Sequence, residues 1–533
     1  MKTSDFIADY LSKNGINKIF SVTGGFAMHL NESFSKMDIV YQHGEGPCGY
    51  SAMGYSRVMN EPSIVCVTAG CGATNAITPC LVAYQDSVPI LFISGAVPSK
   101  DNVRYLKHSM RVNSGSDCDI IDMVGHITKY AVEICDQSEV LNSLDNCIYH
   151  LKNGIPGPVW LSIPLDIQST SIGIQIPTII PYYKQPVYEF PFDTWNRCKR
   201  PVIVVGNGIH ITKTVEKTLD FITRCKAPVV CSFFGTDIAP GFNIGRVGII
   251  GDRTGNYIIQ KSDFILCIGC SLGKSMRGYN ELSFAPDAYI ERVSDIPKFY
   301  DMNLEFGNYT AWLSKCNEFH KMWFRELPNP DNILCPYTFL HKFFSLKPPV
   351  QNTVVSSGSI ACVAWHQYIC KTGDRYIMSG HGDMGYEIPV AIGCAIANGR
   401  HTWSIVGDGS FQFNFQELHT IKSMNIPVKI LYFNNGGYGA IQITQHKYFK
   451  HLTGTEFKSL PDVAKIANTY DIQFFTSLEI EKAIDYNGPC IVEIICNVQE
   501  RYPRHENKLH SDGTFTNSTF DNMYPFIELM SDV

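Results

Sequence analysis

One stretch constrains this chain more than any other: HTWSIVGDGSFQFNFQELHTIKSMNIPVKILYFNNGGYG, residues 401–439. Thr402–Val406 is an apolar run of strand length, Phe415, Leu418, Ile421 and Met424 recur at helical spacing, and Pro427–Phe433 is a second apolar run. The order is strand, helix, strand. It sets Gly407-Asp408-Gly409 at the carboxyl end of one strand and Asn434-Asn435 at that of the next, where open α/β sheets bind ligands. Asp408 and Asn435 both carry oxygen donors and could share one hard cation. Mg²⁺ accepts a carboxylate together with amide, carbonyl and phosphate oxygens. The glycines let backbone N–H groups approach a pyrophosphate. Asp-Gly and Asn-Gly are also ordinary turn signals, and this stretch alone does not separate the two readings.

The chain has 533 residues, too many for one core. Residues 1–180 alternate helical patterns with buried-strand strings (SIVCVTAG, PILFISGA, GPVWLSIP). A Pro/Tyr-rich stretch follows. A second α/β segment, 190–330, runs through RPVIVVGNG, APVVCSFFG and SDFILCIGC, and a third, 336–533, holds the Asp408 motif. Three α/β units of ordinary domain size result. Net charge is −6 with no long basic run, which gives nucleic-acid binding no electrostatic support. No apolar signal core and no long apolar segment is present, so a soluble cytoplasmic protein is expected. The 19 cysteines then read as reduced, mostly buried thiols. Cys267 and Cys270 form a lone CxxC without the second pair a zinc site needs.

A second segment, YQHGEGPCGYSAMGYSRVMN, places Glu45 among small residues before a helical stretch. Such a carboxylate is a candidate for a buried group of raised pKa; it could equally cap the helix. Taken in order, this segment, TAGCGATNAITPCLVAYQDSVPILFISG, GPVWLSIPLDIQ, GHGDMGYEIPVAIG and GDG…NN resemble the thiamine diphosphate (ThDP) enzymes of the acetolactate synthase and pyruvate oxidase superfamily, across most of the chain. GGFAMHLNES and MGYEIPVAIG are similar to acetolactate-synthase-like proteins of surface-polysaccharide and sugar-nucleotide pathways.

The resemblance implies three doubly wound parallel-sheet domains: pyrimidine-binding, central and diphosphate-binding. It implies that Glu45 holds a proton against N1′ of the aminopyrimidine, that Asp408, Asn435 and the Gly437 carbonyl bind Mg²⁺, and that Gly409 and Ser410 form the diphosphate turn. Met384 would sit beneath the cofactor and keep it bent, although core packing also suits it. His381 and Gly382 match a loop facing the cofactor. Gly24 and Gly25 match an N-terminal loop near the reacting centre; His29 follows and also suits a structural role.

Departures from the family pattern concern substrate. Ser116 stands where the family carries a longer polar residue, His108 stands alone, and Thr444 replaces a tryptophan, suggesting a roomier acceptor site. In the central unit the arginine expected to contact FAD is missing at Ser271, so FAD is weakly supported. Gly206-Asn207-Gly208 is an incomplete dinucleotide signal, and Gly269–Ser275 is one residue short of a phosphate loop. The expected activity is decarboxylation of a 2-keto acid, pyruvate for preference, with acyl transfer to a keto acid or a nucleotide-linked keto sugar. A non-ligating decarboxylase and a silent scaffold subunit are the alternatives. The family places each site between two chains, implying a homodimer or homotetramer. The polar tail after Pro503 reads as a lid or as a surface segment.

Overall fold

The computed structural model describes residues 1–106, 110–175, 187–278, 281–323, 335–356, 358–457, 460–496, 508–510, 512, 514–516 and 519–523. His108 lies outside the described residues.

Three parallel sheets follow one another along the chain. The first comprises β1 (Lys18–Ser21), β2 (Asp38–Tyr41), β3 (Ser63–Val67), β4 (Ile90–Ala96), β5 (Tyr130–Glu133) and β6 (Val159–Pro164), in the order β2-β1-β3-β4-β6-β5. The second comprises β7 (Pro201–Val205), β8 (Val229–Cys231), β9 (Asn243–Arg246), β10 (Phe264–Ile268) and β11 (Tyr289–Val293), in the order β11-β10-β7-β8-β9. The third comprises β12 (Asn352–Val355), β13 (Arg375–Met378), β14 (Thr402–Gly407), β15 (Val428–Asn434), β16 (Gln473–Thr476) and β17 (Cys490–Ile495), in the order β13-β12-β14-β15-β17-β16. Counted within each sheet, the first and third share one order, 2-1-3-4-6-5. Central strands such as β3, β4, β7 and β10 are buried along their whole length, as helices on both faces of a parallel sheet require.

The first and third sheets are joined by two helices, Glu45–Met59 and Glu387–Asn398. Their backbones nearly touch. A Cβ on Gly54 would fall 2.2 Å from the Val390 carbonyl oxygen, and one on Gly393 would fall 1.8 Å from that of Ser51. No residue with a side chain fits either position. The Ser51 hydroxyl donates to the Pro389 carbonyl oxygen at 2.8 Å, a direct bond between the two helices. One apolar cluster runs from Phe20 and Phe92 through Tyr50 and Met53 to Val390, Ile392 and Phe411. The first and third sheets therefore share a core.

The C-terminal segment packs on the central unit. Phe520 is 2% and Met523 0% exposed. The Phe520 ring lies edge-on to Phe284 at 5.2 Å, and Arg253 donates to the Met523 carbonyl oxygen at 3.2 Å. Of the two expectations for the tail, residues 519–523 follow the surface one. Among the described residues, no helix is long and apolar enough to cross a membrane.

Candidate active site

The carboxyl ends of the third sheet bring the Asp408 group together. Asp408 opens a helix, Asp408–Asn414, immediately after β14, and is 1% exposed. Its Oδ1 accepts from the Gly409 N–H at 2.7 Å, and its Oδ2 accepts from the N–H groups of Asn435 and Gly437, both at 3.0 Å. Burial pushes the Asp408 carboxyl above the usual carboxylate range, against these backbone donors, which pull it down.

One terminal atom of the Asn435 amide lies 3.1 Å from each Asp408 oxygen and 2.7 Å from the Gly437 carbonyl oxygen. As an NH₂ group it donates to all three. With the oxygen turned inward it closes a ring of acceptors. Oxygens about 3 Å apart are the neighbouring corners of an octahedron with metal–oxygen bonds of roughly 2.1 Å. The residues therefore fit a small hard cation with open positions for phosphate. Among the described residues no group of three or more His, Cys, Asp or Glu side chains forms a metal-binding cluster; this set instead has one carboxylate supplemented by neutral oxygens.

The loop after β13 borders the same group. His381 and Gly382 are exposed, and both backbone N–H groups donate to the Ser379 hydroxyl, at 3.1 and 3.3 Å. Met384 is 36% exposed. That overturns core packing for Met384: an apolar side chain stands at the mouth of a polar site. The Ser379 hydroxyl donates to Asp383, and Asp383 also bonds to Tyr50. Burial pushes the pKa of both Asp383 and Tyr50 upward. Ser410 accepts from the Gly385 N–H at 2.7 Å and donates to Glu387 at 2.7 Å.

The first sheet gathers a second group at its own carboxyl ends. Glu45 is the first residue of its helix, follows β2 and is only half-buried. This corrects the expectation of a buried carboxyl: in one chain its outer side is open. The capping alternative fails too, because the cap position is Gly44 and no side-chain cap bond forms. Glu45 Oε2 accepts from the Asn75 amide at 3.2 Å, and its Oε1 faces Gly72. Gly24 and Gly25 follow β1, where the Phe26 N–H donates to Thr68 Oγ1 at 3.2 Å. Ser116 is exposed, sits at φ 77° and packs against Gly70. His29 is half-buried on the helix Met28–Phe34. Thr444 lies on the helix Gly439–Phe449, its hydroxyl donating to the Ala440 carbonyl oxygen at 3.1 Å. Among the described residues, no hydrogen bond or ion pair joins the Glu45 group to the Asp408 group.

Asn75, Thr68, Glu387 and Glu417 escaped the sequence reading. Glu417 is fully buried and accepts from Gln42 at 3.1 Å and from the His43 N–H at 3.0 Å, fixing the approach to Glu45. Nothing in FQELHT marks it. Glu387 carried one signal, an acidic residue inside the apolar run MGYEIPVAIG.

The central unit departs from the dinucleotide pattern. Its strand order switches between β7 and β10, the usual crevice for a nucleotide. Here the Gly206 N–H donates to the Ile268 carbonyl oxygen and the Gly208 N–H to that of Gly269, both at 3.0 Å. The two glycine turns close on each other, so these donors are not available to a flavin or nicotinamide pyrophosphate. The phosphate-loop reading of Gly269–Ser275 fails as well: only a four-residue helix, Lys274–Arg277, follows, and Leu272 is fully buried. Cys267 is a core residue, and 13 of the 19 cysteines are buried, in line with reduced thiols.

Comparison with known proteins agrees with this arrangement. Three family models match in order: the N-terminal TPP binding domain of thiamine pyrophosphate enzymes at residues 1–116, the central domain at 193–302, and the C-terminal TPP binding domain at 356–494. A probable acetolactate synthase large subunit from Methanocaldococcus jannaschii is 26% identical, over 94% of this chain and 93% of the relative. The acetolactate synthase large subunit of Lactococcus lactis is 24% identical over 96% and 95%, and the chloroplastic acetolactate synthase 1 of Oryza sativa 24% over 94% and 85%.

Proposed function

We propose that this chain, which belongs to the thiamine pyrophosphate enzymes and is an enzyme of their acetolactate-synthase-like class, decarboxylates a 2-keto acid and transfers the acyl unit to a carbonyl acceptor. Pyruvate is the donor of choice. When bound, thiamine diphosphate supplies the nucleophilic carbon and accepts the electron pair left as carbon dioxide departs.

The chain's own residues bind, orient and move protons. Asp408, Asn435 and the Gly437 carbonyl would hold Mg²⁺ and leave positions open for phosphate oxygens. The single observation that carries this reading is the ring of acceptors 2.7–3.1 Å from one Asn435 amide atom. Gly409 and Ser410 line the diphosphate through the start of their helix. Glu45, oriented by Asn75, holds a proton at pyrimidine N1′ and exchanges it during turnover. Met384 would give the cofactor an apolar support, with His381 and Gly382 at the rim of the site. Gly24 and Gly25 would line it from the first sheet.

Within one chain, among the described residues, no hydrogen bond or ion pair links the Glu45 and Asp408 groups. We therefore place each complete site between two copies, Glu45 from one protomer and Asp408 from its partner, in a homodimer or a homotetramer. His29, His108, Ser116 and Thr444 are left for substrate contacts. With its hydroxyl turned to its own helix, Thr444 presents a small apolar surface. That admits a larger acceptor, a second keto acid or a keto sugar carried on a nucleotide.

The test is incubation of purified protein with ThDP, Mg²⁺ and pyruvate, with and without an acceptor. Carbon dioxide together with a new carbon–carbon-bonded product supports the proposal. Acetaldehyde alone supports a non-ligating decarboxylase. Absence of carbon dioxide from every 2-keto acid tried leaves only the scaffold reading.

A further inference from the structure

We propose that Glu387 is a positioning residue that locks the Met384 loop to the Asp408–Ser410 turn by accepting the hydroxyl hydrogen of Ser410. The inference rests on the reading of these two segments as the diphosphate end of the cofactor site.

Glu387 is 2% exposed and opens the helix Glu387–Asn398. A carboxyl at that depth is costly unless it has a task or a partner. Its side-chain partner is Ser410, whose Oγ donates to Glu387 Oε2 at 2.7 Å. The same Oγ accepts from the Gly385 N–H at 2.7 Å. On the other side of that residue, the Asn414 amide donates to the Gly385 carbonyl oxygen at 2.7 Å. Gly385, the residue after Met384, is thus gripped at both its N–H and its C=O by residues of the Asp408–Asn414 helix. Ser410 can accept from Gly385 in a fixed direction because its own hydrogen is committed to Glu387. The chain of bonds has one polarity: N–H to hydroxyl, hydroxyl to carboxyl.

Two consequences distinguish this role from simple packing. The Ser410 side chain has no hydrogen left for a phosphate, so the turn addresses the diphosphate through backbone N–H groups. The bulk of Met384 is held in register with the cation set by three side chains, Glu387, Ser410 and Asn414. Burial pushes Glu387 up to about 8, and the Ser410 hydroxyl that donates to it pulls the other way.

The experiment compares E387Q, E387L and S410A with the parent holoenzyme, measuring ThDP affinity at fixed Mg²⁺ together with kcat. Glutamine keeps an acceptor for Ser410, whereas leucine does not. E387Q is expected to bind ThDP like the parent. E387L and S410A should each weaken ThDP by about tenfold, the scale of one or two lost hydrogen bonds, and the double variant E387L/S410A should be no weaker than either alone. Parental affinity in a folded E387L, or additive losses in the double variant, overturns the proposal. E387Q is the variant least disturbed in shape; if it loses ThDP as E387L does, acceptance from Ser410 is not the role of Glu387. Failure of the parent itself to bind ThDP would sink the cofactor reading instead.

Discussion

The Arg57 guanidinium donates to the Met378 carbonyl oxygen across 2.7 Å, so a side chain from the first sheet's helix holds the end of β13 from which the Met384 loop springs. The same group reaches the Tyr386 hydroxyl at 3.2 Å, beyond the loop, and lies 3.7 Å from Asp86. Both charges are buried at 4% side-chain exposure. Removing one partner of a buried pair strands the other. R57L should therefore lower stability by roughly 3 kcal/mol, seen as a lower midpoint in thermal or urea unfolding. R57K, with one ammonium in place of a fork, should recover only part of it. A variant as stable as the parent would show that the loop is held by other means.

Loss of the cation set should abolish Mg²⁺-dependent ThDP uptake. D408A and N435A are each expected to weaken cofactor binding by at least roughly 100-fold, measured by calorimetry across a range of Mg²⁺. D408A also frees three backbone N–H groups, so N435A is the cleaner comparison.

Glu45→Gln should separate binding from chemistry. The Asn75 contact survives in reoriented form and the cofactor still docks, but the proton at N1′ is no longer exchanged. Turnover should fall by about 10²–10⁴-fold with little change in ThDP affinity. Turnover equal to the parent removes Glu45 from the mechanism.

Glu387 makes a pH prediction with a definite sign. Its carboxyl is pushed from 4.5 to about 8 in the folded chain, by burial first. Between those values the native state keeps a proton that the unfolded state releases, so stability from this group falls as pH rises from 4.5 towards 8. E387Q does not titrate. Unfolding midpoints of parent and E387Q should therefore diverge steadily across that window, the parent declining faster. Parallel curves would mean that Glu387 is ionised in the native state at neutral pH.

Much of this was legible in the residues, for physical reasons. Strands buried on both faces, such as β4 and β14, are continuous apolar runs and declare themselves. Sheet edges such as β2 and β16 are half-polar and four residues long, too short to establish a period. The cation set could be read because Asp408 and Asn435 follow successive strands and must converge. Glu417 could not, since its partners lie about 375 residues earlier and only the packed helices bring them near. The glycine signals of the central unit stayed ambiguous because a glycine admitting a phosphate and one admitting another backbone look alike in sequence.

The shared wiring of the outer sheets has one more consequence. Glu45 and Glu387 stand at the same station, each the first residue of the helix after its sheet's second strand. They are counterparts in two renderings of a single plan, one set at a rim beside an amide, the other sealed behind a serine. A matched pair of acids within one polypeptide thus records how surroundings alone can divide labour between a proton carrier and a brace.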